Sequence, residues 1–204
     1  MKYILKPAAV LFITAVITVA LLSVVYNLTL EPIENQKRKT QEAAMKDVLP
    51  GADKFCEMQV ELSGSMTAVY EGFIGDTLTG YVVKLSPKGY GGTIDLITGI
   101  SVLTNTLTGM RVIRHTETPG LGALAVKEYF YRQFNSKELT RLSVTRSSPG
   151  EHEIQAITSS TVTTRAITYA VNEAIQWYLS AYPPSRADDE REESVDSEDG
   201  GENE

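Results

Sequence analysis

The residues from Ala8 to Tyr26 form a run of nineteen without a charged side chain. At about 1.5 Å per residue in a helix, that run matches a hydrocarbon core of roughly 30 Å. It therefore predicts a transmembrane anchor in residues 1–30. A cleaved leader is the competing reading, but the run is longer than the usual apolar core of a leader. The Val24-Val25-Tyr26-Asn27 stretch at its end also lacks a small-x-small cleavage pattern. Basic residues stand on both sides of the span, with Lys2 and Lys6 before it and Lys37, Arg38 and Lys39 after it, so charge counting does not set the orientation.

The other end is as distinctive. Pro183 to Glu204 holds ten acidic and two basic residues and almost nothing apolar. Such a segment buries too little surface to offset chain entropy, and 183–204 is expected to be a disordered acidic tail. The formal charge of −7 belongs to that tail, because the remainder of the chain carries +1. No nucleic-acid footprint is visible and no nucleic-acid partner is expected. The single cysteine, Cys56, excludes an internal disulfide and a multi-cysteine metal centre, and two histidines exclude a histidine-rich one. No metal site is expected, and redox chemistry in this chain requires an organic cofactor.

Between the extremes, Glu31 to Leu49 is rich in Glu, Gln, Lys and Ala and stops at Pro50-Gly51. Residues 31–58 read as a membrane-proximal helix and linker. From Gln59 to Val112, short runs of Val, Ile, Tyr and Thr are separated by glycines at 64, 75, 80, 89, 91, 92, 99 and 109. These read as turns between strands of a mostly antiparallel sheet. Ala123 to Phe134, entered through Thr118-Pro119, suits a short helix carrying Leu124, Tyr129 and Tyr131. Val162 to Tyr182 has apolar residues at helical spacing and is expected to pack as the closing helix. The fold class is α+β, with the globular domain over 59–182.

Six hydroxyl side chains crowd into Thr158-Ser159-Ser160-Thr161-Val162-Thr163-Thr164, between the strand-like Glu153 to Ile157 and the closing helix. Hydroxyls at that position cap helices. The same place, with free amides and a positive dipole end, also suits a phosphate.

The stretch Ile154 to Ala166 resembles the flavinylation motif of the G subunit of Rnf electron-transport complexes and of its counterpart, the C subunit of Na⁺-translocating NADH:quinone reductase. His115-Thr116-Glu117-Thr118-Pro119-Gly120-Leu121-Gly122-Ala123 resembles that family's Glu-Thr-Pro-Gly-Leu-Gly stretch, and Gly89-Tyr90-Gly91-Gly92 is a third match. The resemblance runs from the span to about Tyr182.

It implies FMN joined through its phosphate to Thr161, with Thr163 and Thr164 as neighbours and not acceptors. Ser160, Glu117, Thr118, Gly120 and Leu121 are then expected around the flavin, while the Pro and Gly residues of that loop are equally explained as a turn. It further implies an electron-transfer subunit of a membrane ion-translocating ferredoxin:NAD oxidoreductase complex, with no catalytic residues of its own. Other Rnf subunits, the membrane and a maturing flavin transferase are the implied partners. The family topology has the N-terminus in the cytoplasm and the FMN domain on the periplasmic or extracytoplasmic side of the cell (inner) membrane.

The sequence departs from the family where Gln155 replaces an acidic residue and Ser159-Ser160 replace a smaller pair. Those departures favour the alternative of a structural subunit without flavin. An anchored solute-binding domain is a third reading, for which no pocket signature is present. His115 reads as a surface histidine at a strand end.

Overall fold

The computed structural model describes residues 2–182, so the expected disorder of the acidic tail lies outside the described residues. The chain divides into two compact units, 1–43 and 44 onward, the first made of one helix. That helix, α1, runs uninterrupted over Lys2–Val48 and contains Pro7 and Pro32. It is long and apolar enough to cross a membrane, its best window having a mean hydropathy of 2.7 and no buried residues.

The second unit is built on a six-stranded antiparallel meander, β1 (Lys54–Met58), β2 (Met66–Ile74), β3 (Thr77–Leu85), β4 (Ile94–Ser101), β5 (Thr106–His115) and β6 (Lys137–Glu138), in sequential order. A parallel pair, β7 (Ser143–Thr145) and β8 (Glu153–Gln155), leads into helix α3 (Thr161–Ala181). Both α+β character and mostly antiparallel pairing follow the sequence expectation.

The central strands are apolar almost without alternation because both sheet faces are covered. On one face Tyr81, Val83, Leu85, Leu96, Leu107 and Met110 pack with Ile167, Val171, Ala174 and Ile175 of α3, and with Phe130 and Phe134. On the other, Val82 and Ile97 pack with Met45, Val48, Leu49 and Ala52.

That second face changes two sequence expectations. The stretch after Pro50-Gly51 does not form a linker, since Ala52 joins the core beside the end of α1 and Lys54–Met58 pairs with β2 in register from Lys54↔Phe73 to Met58↔Val69. Nor are Gly80, Gly99 and Gly109 turns, because each lies inside a strand. A glycine inside a strand marks a close approach by another group. A Cβ on Gly99 would stand 2.3 Å from the Val48 carbonyl oxygen and 2.4 Å from Thr108 Oγ1, and the Thr108 hydroxyl donates to that same carbonyl. A Cβ on Gly72 would meet Leu49 Cδ2 at 2.4 Å. Gly64 and Gly75, with φ of +61° and +58°, are true turns.

The helix expected over Ala123 to Phe134 is broken into a 3₁₀ turn (Gly122–Val126), a single α turn, α2 (Glu128–Tyr131), and a second 3₁₀ turn (Arg132–Phe134). Lys127 is extended, with ψ of 146°, and interrupts the hydrogen-bond ladder. The buried anchors are Ala125, Phe130 and Phe134, the two rings meeting edge to face at 5.7 Å, while Tyr129 faces solvent.

Near the C-terminal end of α3, Tyr81 meets Trp177 edge-on at 5.7 Å and stacks with Tyr182 at 5.0 Å. Burial, followed by the hydrogen bond and charge of Tyr182, pushes the Tyr81 phenol well above its ordinary range, and burial raises Tyr178 too.

Two outcomes follow for stability. Gly99→Ala drives a methyl into backbone, and its unfolding free energy should fall by about 1–3 kcal/mol in denaturant titration. A phenol that stays neutral in the folded chain but ionises near pH ~10 when unfolded contributes stability below that pH and loses it above. Stability should therefore decline from about pH 10 upward, and Tyr81→Phe should make the decline shallower in pH-dependent melting.

Candidate functional site

Three segments far apart in sequence meet at one buried carboxylate. Glu117, 6% exposed, leaves the end of β5 and turns inward. Its Oε1 accepts the Gly91 amide at 3.0 Å, and its Oε2 accepts the Thr163 hydroxyl at 2.8 Å. The Ser160 hydroxyl donates in turn to Thr163 Oγ1 at 2.9 Å. A chain of hydroxyls thus ties the start of α3 to the loop after β5 and the loop before β4.

Small residues make this possible. A Cβ on Gly122 would stand 2.1 Å from Glu117 Oε2, and one on Gly89 would stand 2.2 Å from Oε1. The glycines of the Gly89-Tyr90-Gly91-Gly92 and Glu117 to Gly122 stretches therefore leave the space that the carboxylate fills.

The arrangement leaves the first turn of α3 open. Ser160 is the N-cap, yet its hydroxyl is committed to Thr163 and no side chain caps the helix. Thr164 is also engaged, accepting the Ile157 amide at 3.1 Å and donating to the Ser160 carbonyl at 3.1 Å. Of the helix-start hydroxyls on α3, Thr163 and Thr164 are fully buried, whereas Thr161 is half-buried and has no side-chain hydrogen bond among the described residues. Uncapped amides at a helix start carry the positive end of its dipole.

Thr161 opens into a cleft of about 450 Å³ lined by Glu117, Thr118, Leu121, Gly122, Ser160, Thr161 and Val162, with Tyr90 and Ser159. That size lies within the range of small-molecule sites. Tyr90, 77% exposed, Leu121 and Val162 give the cleft apolar edges. Five of the six expected site residues, Thr161, Ser160, Glu117, Thr118 and Leu121, line this one cleft. Gly120 does not line it; with φ of +78° it serves the turn that precedes Gly122–Val126.

Sequence reasoning missed the inward role of Thr163. Continuing the apolar period of α3 backward from Ile167 places Thr163 and Thr164 on the buried face, and that signal was available. Tyr90 lies inside a motif that was noted, and Val162 had no signal of its own.

The two departures from the family pattern have clear structural settings. Ser159 adopts φ of +62°, the left-handed conformation a glycine takes more readily. Gln155 holds its place by backbone, its amide donating to Gln133 Oε1 at 2.7 Å, while its side chain faces solvent. His115 ends β5 and is half-buried, with Nδ1 enclosed and unpartnered among the described residues.

Glu117→Ala would strand the Gly91 amide and the Thr163 hydroxyl and should cost about 2–4 kcal/mol of unfolding free energy. Calorimetry or denaturant titration checks this.

Residues 89–176 match the family model of the FMN-binding domain, and residues 1–48 match that of the RnfG N-terminal region. The chain is 33% identical over 193 residues to the G subunit of the Na⁺-translocating ferredoxin:NAD⁺ oxidoreductase complex of Acetobacterium woodii, covering 87% of this chain and 92% of that one. It is 31% identical over 185 residues to the G subunit of the ion-translocating oxidoreductase complex of Methanosarcina acetivorans, covering 88% and 96%. The G subunit of the proton-translocating ferredoxin:NAD⁺ oxidoreductase complex of Clostridium ljungdahlii is 33% identical over 167 residues, covering 81% and 86%. In fold, the crystal structure of the C subunit of Na⁺-translocating NADH-quinone reductase from Parabacteroides distasonis superposes with a TM-score of 0.59 over 77% of this chain and 98% of that one, at 15% identity.

Proposed function

The chain belongs to the G-subunit family of ion-translocating Rnf oxidoreductase complexes, and from that premise we propose that it carries FMN as a phosphoester on Thr161 and relays electrons within such a complex. The observation that carries the covalent assignment is selective availability. On α3 and its N-cap, Thr161 presents its hydroxyl at the cleft without a hydrogen bond, whereas Ser160, Thr163 and Thr164 have theirs engaged; Ser159, whose hydroxyl also borders the cleft without a hydrogen bond among the described residues, precedes the N-cap and so lies outside the helix start.

The cleft also fits the group chemically. A phosphate joined to Thr161 Oγ1 lies beside the uncapped first turn of α3, where amides and dipole favour negative charge. Tyr90, Leu121 and Val162 offer apolar surface to a flat ring, and Ser160 and Thr118 supply polar atoms. Bound there, FMN supplies one- and two-electron transfer, while the chain supplies position and electrostatics. Glu117 holds the helix start and both loops in place from behind, as a positioning residue.

Attachment would form a Thr161 Oγ–P bond and lose the hydroxyl proton to solvent, so the proposal includes a separate flavin transferase and a flavin dinucleotide donor whose phosphoanhydride bond breaks, releasing the nucleoside monophosphate as leaving group. The left-handed Ser159 and the outward Gln155 leave the helix start formed, as flavinylation requires. The proposal places α1 in the membrane, with the N-terminus cytoplasmic and the domain outside, beside the other subunits of the complex. Relatives that differ in moving Na⁺ or protons share this domain, and the coupling ion is assigned to the complex and not to this subunit.

Coexpression with a flavin transferase, followed by in-gel fluorescence of the denatured chain and mass mapping, tests the assignment. The wild type should fluoresce with the flavin on the Thr161 peptide. Thr161→Ala should be dark and still folded, since losing one cap-region hydroxyl costs only about 1 kcal/mol. A dark wild-type band despite an active transferase would favour the structural-subunit reading.

A further inference from the structure

A larger cleft, about 650 Å³, is lined on one side by α3 residues Arg165, Tyr169, Asn172 and Glu173 and on the other by Lys88 and Arg141. Arg165 lies one helical turn beyond Thr161, so this concavity borders the proposed flavin site. Its one carboxylate and its one amide side chain are already engaged. Glu173 Oε2 takes the Ser65 amide at 2.8 Å and the Ser65 hydroxyl at 2.5 Å, and Asn172 clamps the backbone of Leu142 through both its amide atoms. Its cations are not. Arg111, Arg114 and Arg132 pair with Asp47, Asp95 and Glu128, but Lys88, Arg141 and Arg165 are exposed and make no ion pair among the described residues. Three cations therefore face one committed carboxylate.

We propose that this cleft receives the chain's own acidic C-terminal segment, which begins where α3 ends. Charge and reach both favour that occupant. Residues 183–204 carry a net charge of −8, the only strong concentration of one sign in the sequence. From Tyr182 back to Arg165 is seventeen residues of helix, about 25 Å at 1.5 Å per residue. A chain spans at most ~3.3–3.6 Å per residue, so roughly eight residues cover that distance. The run Asp188 to Glu193, with five carboxylates, begins six residues past Tyr182 and falls at the right distance. The proposal does not depend on the flavin.

Zero-length carbodiimide coupling of the full-length, detergent-solubilised protein tests it, because the reagent condenses the Lys88 amine with a carboxylate in contact. Mass mapping of the monomer band should find Lys88 joined to a residue within 188–199. Coupling should drop roughly five-fold in the double variant Arg141→Gln, Arg165→Gln, consistent with losing two exposed ionic contacts. It should drop similarly between about 0.01 M and 1 M salt, where the screening length shrinks from about 30 Å to 3 Å. Coupling at Lys127, outside the cleft, reports random collision and should not change in the double variant. Absence of the Lys88 link, a link insensitive to the double variant, or a link found only between two copies would overturn the proposal.

Discussion

The domain is organised around a nearly buried carboxylate at the base of the cleft, where protein groups supply the partners that water would otherwise provide. Buried polar groups are costly unless paired, and Glu117 is paired with an amide from one loop and a hydroxyl from the closing helix. Those bonds set where α3 begins. Ser160, at the N-cap, donates its hydroxyl hydrogen to Thr163 and makes no capping bond to the helix amides. The helix start is left without a side-chain cap, and Thr161 stands beside it at the cleft.

The sheet supports this arrangement by being covered on both faces. α3 can hold its first turn at the cleft because its middle is fixed by Ile167, Val171, Ala174 and Ile175 against the strands. The opposite face is closed by the last turn of α1 through Val48, which Gly99 admits and Thr108 hydrogen-bonds. The chain thus enters the domain along one face of the sheet and finishes on the other.

Much of the architecture was legible in residue patterns. The apolar run of α1, the antiparallel strands and the 3.6-residue period of α3 all have strong local signals. The failures share a cause. Gly80, Gly99 and Gly109 look like turn residues in one dimension, and only the approach of Val48 or another segment explains a glycine inside a strand. The helix over 123–134 failed because its apolar positions serve three separate turns, with Phe130 and Phe134 and not Tyr129 or Tyr131 as its buried rings.

For the site, sequence by itself determined the inventory: an anchor, a hydroxyl cluster before a helix, and two glycine-rich stretches whose order resembles a known family. Those are local properties, set by side-chain chemistry and spacing along the chain. Helical spacing alone puts Thr163 and Thr164 on the buried face, but tertiary structure decided what engages them and Ser160, namely Glu117 and the Ile157 amide, while leaving the Thr161 hydroxyl at the cleft. It also decided that Lys88, Arg141 and Arg165 share one cleft. Contacts between residues tens of positions apart depend on how the strands and α3 pack, and no spacing along the chain encodes them.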